Sequence, residues 1–137
     1  MRSIDQTKIY PPAGLPEIDD EHEHIGLELE RLIEAISLDD FKLAVAMHAA
    51  VLERTATHFA HEERLMREVR YTALRRHKRA HEAFLAKARL SARRSPDEAI
   101  LSALFIRWAS RVQGWFGSHV VKEDFWLVQA LLAHASH

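Results

Sequence analysis

The side chains able to do chemistry in this chain are imidazoles and carboxylates. Its 137 residues include ten His and no Cys. Iron–sulfur clusters, thiolate zinc sites and haem attached through CxxCH are therefore excluded, and any metal must be held by His with Asp or Glu. His77 and His81, in YTALRRHKRAHEAF (Tyr71 to Phe84), stand four residues apart. On a helix four residues return to within about 40° of the start. Both rings then project from one face, one turn apart, where each can offer a nitrogen to the same ion. A lone HxxxH in so His-rich a chain says little. HxxxE says less, since it occurs at His24/Glu28, His58/Glu62 and His119/Glu123. The pair matters only if other segments bring partners.

Scarce Gly and Pro, with abundant Ala, Leu, Glu and Arg, point to a helical protein. Residues 1–18 carry Pro11, Pro12, Gly14 and Pro16 and read as an extended arm that lays Ile9, Tyr10, Leu15 and Ile18 over the core. Asp19 or Asp20 is the expected N-cap of a first helix, about 19–37, with the seam Ile25, Leu29, Leu32 and Ile36. Running that seam back three residues reaches His22, while His24 faces solvent. Asp39 and Asp40 cap a second helix, about 39–69, whose inner face collects Ala44, Met47, Val51, Thr55, His58, Glu62, Leu65 and Val69. The third, about 73–92, aligns Leu74, His77, His81, Phe84 and Ala88. Ser95 is the expected N-cap of the fourth, about 96–119, with Pro96, Asp97 and Glu98 in its first turn. Its seam runs Leu101, Phe105, Trp108, Val112, Trp115 and His119, with both Trp read as core. The tail, 120–137, holds a short amphipathic helix whose Phe125, Trp126 and Leu131 either close the bundle end or mark an interface.

Four helices on short connections alternate in direction. The expected fold is an all-α, antiparallel up-down-up-down four-helix bundle, with the arm and the short C-terminal helix, as a single domain over 1–137. The starts of helices one and three then meet the finishes of helices two and four. His22, His58, Glu62, His77, His81 and His119 converge at that end, inside the core. Asp124 is a seventh candidate, but five residues beyond His119 it points about 140° away on a straight helix, so a break or bend is expected between them. One seam His is usually a hydrogen-bonded core residue; five with a Glu cannot all satisfy one another, and a metal resolves the conflict. His48, His61, His134 and His137 are read as exposed or satisfied at the core edge.

With these segments in place, the chain resembles the hemerythrins, specifically bacterial hemerythrins. The likeness rests on GLPEIDDEH (Gly14 to His22), HFAHEERLM (His58 to Met66), the His77/His81 segment and WFGSHVVKED (Trp115 to Asp124). It implies two iron ions, with His77, His81 and His119 on one and His22 and His58 on the other. Glu62 and Asp124 would bridge them, with an oxo or hydroxo group as third bridge. Three His and three bridges fill an octahedral ion, whereas two His leave one position open, so small molecules are expected at the His22/His58 iron. Ile25, Phe59, Trp115, Phe116 and Val120 are placed around that ligand pocket. Two departures stand out: Phe116 where Leu is common, and Arg70 where Gly is frequent.

The resemblance implies a non-haem di-iron protein that reversibly binds dioxygen as carrier, store or buffer. A His-rich, carboxylate-poor shell favours reversible binding over attack on substrates, so a binding protein is preferred to an enzyme. The alternatives are a sensing or delivery module for oxygen, nitric oxide or redox state, acting through a partner, and an enzyme reducing peroxide or nitric oxide. A net charge of −1 gives no case for nucleic acid, and the cations around Arg75 to Arg79 read as a solvated face. No segment looks like a signal peptide or membrane span. The expectation is a cytoplasmic protein, a monomer or weak homo-oligomer, with a protein partner left open.

Overall fold

In the computed structural model, residues 9–90 and 97–136 are described. The expected cap at Ser95, the start of the arm and His137 lie outside them. The described chain is all helical: α1 (Pro16–Ser37), α2 (Phe41–Glu68), α3 (Leu74–Leu90) and α4 (Glu98–His119), then a π-helical turn (Val120–Asp124) leading into α5 (Phe125–Ala135). No helix among the described residues is long and apolar enough to cross a membrane. The first four helices form the bundle, with α2 packed on both α1 and α3 and α4 packed on α1.

The helix starts differ from expectation for identifiable reasons. Helix α1 opens at Pro16, three residues early, because proline at the first helical position loses only an N–H that had no partner anyway. Its N-cap residue is Leu15, which makes no side-chain cap. Asp19 instead reaches back to the arm, accepting from the Ala13 N–H at 2.7 Å and the Gly14 N–H at 3.3 Å. Glu23 likewise accepts from the Ile9 and Tyr10 N–H groups at 3.0 and 3.1 Å. The acids of the first turns thus pin the arm to α1. Gly14 sits at φ +114°, a conformation other residues rarely adopt. Asp40 caps α2 through the Leu43 N–H at 3.1 Å. On α4 the cap is Asp97, which accepts from the Ala99 and Ile100 N–H groups, rather than lying in the first turn.

Helices α1 and α2 close alike. The Asp40 N–H reaches Ala35 O and the Asp39 N–H reaches Ile36 O; the Tyr71 N–H reaches Met66 O and the Arg70 N–H reaches Arg67 O. Each is a Schellman turn with its left-handed residue at Asp39 (φ 56°) or Arg70 (φ 52°). Glycine is commonest at such positions because it has no Cβ, and Arg70 adopts the conformation with a side chain.

The core is one buried cluster in which Ile25, Leu29 and Leu32 of α1 meet Val51 and Phe59 of α2 and Phe105, Trp108, Val112 and Phe116 of α4. A smaller cluster of Ala13, Val120 and Val128 seals the end where α5 begins. Helix α5 packs through Leu127 and Val128, while Phe125 and Trp126 remain 39% and 59% exposed. These two rings therefore do not close the bundle end.

Candidate metal centre

Burial alone makes the cluster unusual. His22, His58, Glu62, His77, His81, His119 and Asp124 are all buried, none more than 5% exposed. Six of them come from the starts of α1 and α3 and the finishes of α2 and α4, as alternating helix directions require, and Asp124 comes from the π-helical turn after α4.

Asp124 reaches the cluster without a break in the helix. The Phe125 N–H bonds to Val120 O, five residues back instead of four. The widened turn winds through a smaller angle per residue than an α-helix, so Asp124 falls short of the straight-helix overshoot and its Oδ1 lies 3.0 Å from His119 Nε2. The expected bend is replaced by an overfull turn, and α5 continues from it.

The two carboxylates divide the five imidazoles in the same way. Asp124 Oδ1 lies 2.9 Å from His77 Nε2 and 3.0 Å from His119 Nε2, while Oδ2 lies 3.0 Å from His22 Nε2. Glu62 Oε1 lies 3.1 Å from His81 Nε2 and 3.5 Å from His77 Nε2, while Oε2 faces His58 and His22 at 3.4 and 3.9 Å. One oxygen of each acid faces the group of three His, and the other faces the pair. Two overlapping sets result: His77, His81 and His119 with both acids, and His22 and His58 with the same acids, each having donor atoms within 4.8 Å of one another.

These short approaches are not satisfied hydrogen bonds. Both oxygens of Glu62 and of Asp124, and Nε2 of His22 and His58, find no partner of proper geometry. His81 shows why. Its Nδ1 lies 3.0 Å from Glu63 Oε2, so a neutral ring donates there and turns a lone pair toward Glu62 Oε1, acceptor against acceptor. His58 repeats the pattern, with Nδ1 2.5 Å from Glu21 Oε1. A cation or extra protons must sit between such groups.

Protonation follows from the same geometry. Burial alone would push the His58 imidazole down, but the Glu62 charge and the hydrogen bond with Glu21 hold it up at about 10. His77 is also disfavoured by burial, yet Asp124 and Glu62 raise it to about 9. Burial disfavours charge on Glu62 and Asp124 too, but the surrounding imidazoles keep both acids well below the usual carboxylate range. His119 is lowered, chiefly by burial. The cluster is thus an anionic pair that attracts positive charge, and protons occupy it when no metal does.

Aromatic rings shape the two sides differently. Phe59 stacks on His81 with centroids 3.7 Å apart, and Trp115 on His119 at 4.3 Å. Trp115 therefore backs the three-His side, whereas Phe59, also 5.9 Å from His58 and from Phe116, stands between the two groups. Phe116 stands 6.3 Å from His22 and 6.4 Å from His58, on the two-His side. Ile25 shares its cluster, whereas Val120 belongs to the smaller one. Tyr10 lies edge-on to His22 at 6.5 Å and against Phe116 at 5.9 Å.

Sequence reasoning missed Glu21 and Glu63, each beside a cluster residue in the chain. One position along, a helix turns about 100°, so these acids leave their own seam and meet the outer nitrogen of a His on another helix. No local spacing signals that pairing. Glu21 also holds the half-buried His61, at 2.7 Å. His48 is buried and stacks on Phe105 and Trp108, and His24 and His134 are exposed.

A paired-carboxylate, five-His cluster inside an antiparallel helical bundle defines a metal-binding module. The model of the hemerythrin HHE cation-binding domain matches residues 13–131, and the chain belongs to that family. Comparison with curated proteins and with solved structures gives no match.

Proposed function

We propose that the cluster holds two iron ions and that the protein reversibly binds dioxygen. The observation that carries the reading is the division of Glu62 and Asp124, each turning one oxygen to the three-His group and one to the two-His group. Carboxylates so placed suit a pair of ions that share both acids. His77, His81 and His119 would hold one ion, and His22 and His58 the other. Iron bound there would supply the two electrons that reversible dioxygen binding takes, one from each ion. The ion with one imidazole fewer keeps room for a small ligand. Glu21 and Glu63 fix the ring orientation of His58 and His81 so that Nε2 faces inward. Phe116, fully buried beside His22 and His58, gives the two-His side an apolar wall that would exclude water, which favours release of the ligand over its decay.

The test is anaerobic loading with ferrous iron, elemental analysis, and absorption spectra on repeated exposure to air and its removal. Two irons per chain and charge-transfer bands that come and go with oxygen are the expected result. One metal per chain, or zinc after expression in ample iron, would overturn the two-iron assignment. Irreversible oxidation with steady peroxide or nitric oxide turnover would overturn the carrier reading in favour of an enzyme.

A further inference from the structure

A second site lies outside the His cluster, between α3 and α4. The two helices meet through the Trp108 indole N–H, which donates to Ala88 O at 3.2 Å, and through Phe84 and Trp115, whose rings are 4.3 Å apart. Around these contacts is a cavity of about 490 Å³ lined by Phe84, Lys87, Ala88, Trp108, Arg111, Val112 and Trp115. That volume falls within the roughly 300–1,000 Å³ of small-molecule sites, as does the pattern of apolar walls with few polar groups.

The polar groups are of one sign. Helix α3 carries six Arg and Lys against the single acid Glu82, and α4 carries Arg107 and Arg111 against Glu98 at its start. Arg111 is exposed and has no ion pair among the described residues. A guanidinium at the mouth of an aromatic slot matches a carboxylate on an apolar body, since its planar fork donates to both oxygens. We propose that this cleft binds an amphiphilic carboxylate, its chain against Trp108, Val112 and Trp115 and its anionic end at Arg111, with Lys87 on the same rim. A neutral amphiphile leaves the Arg111 charge unmatched, and a cation is repelled by it. This site is independent of the metal reading, although Trp115 also stacks on His119 and so joins the two.

The test is a titration of the full-length protein with dodecanoate, below its micelle-forming concentration, followed by tryptophan fluorescence and calorimetry. Trp108 and Trp115 both line the cavity, so an occupant changes their emission directly. Saturable binding of one dodecanoate per chain is expected, at least tenfold tighter than dodecanol or dodecyltrimethylammonium. Arg111→Glu should weaken it tenfold or more, while Arg107→Glu, an equal charge change on an exposed residue of α4 outside the cavity lining, should leave it within twofold. Circular dichroism checks that both variants fold, and both positions are exposed. Absence of saturable binding, equal affinity for the three amphiphiles, or equal loss in the two variants would overturn the proposal.

Discussion

Removing the metal and raising the pH should destabilise the protein, because His58 and His77 then carry protons that hold the cluster together. In the metal-free fold their pKa values are raised from about 6.5 to about 10 and about 9. A raised value means that the folded chain binds protons the unfolded chain releases. Their contribution is fully present below pH about 6.5 and is lost as the pH climbs through 9 to 10. Glu62 and Asp124 have the opposite sign: their depressed values contribute above the usual carboxylate range and are lost as pH falls below it. Metal-free protein should therefore be most stable between about pH 4.5 and 6.5. A tenfold gain in proton affinity on folding is worth about 1.4 kcal/mol. Both rings are almost wholly shielded from solvent, so the alkaline loss should total on the order of several kcal/mol, a large part of a typical 5–15 kcal/mol. Thermal melts by circular dichroism after chelation, at steps from pH 5 to 10, measure this. A matching series loaded with redox-inert zinc should gain metal affinity as pH rises, since bound metal displaces the same protons. A metal-free melting temperature that stays flat or rises between pH 6.5 and 9 would refute the argument.

Three further outcomes follow from the packing. His77→Ala removes a fully buried ring facing both acids; metal content should fall, with an accompanying loss of about 3–5 kcal/mol from the broken buried network, and full loading at an unchanged melting temperature would contradict the site. Phe116→Leu should keep the metal and cost about 1–2 kcal/mol, while ligand exchange by stopped flow speeds up because the two-His side is less filled. Arg70→Gly should raise stability by about 0.5–1 kcal/mol, the left-handed penalty at φ 52° less the entropy glycine adds to the unfolded chain, and chemical denaturation reads it directly.

The sequence by itself determined whatever has a helical period. The seams of α1 to α4, and the positions of His22, His58, Glu62, His77, His81 and His119 at alternate helix ends, follow from local spacing, and alternating helices place those ends together. The absence of Cys and the near-neutral charge balance limited the chemistry equally early. Tertiary structure decided what spacing cannot express. Straight-helix geometry turns Asp124 away from the cluster; it enters through the π-turn at Val120–Asp124, where five imidazoles and the packing of Leu127 and Val128 offset the irregular backbone. The same holds for Glu21 and Glu63, whose partners His58 and His81 lie on other helices. Periodicity fixes which face of a helix turns inward, because that depends only on residues a turn apart. Which atom meets which across the core depends on helix separation and rotation, which are set when all four helices pack together.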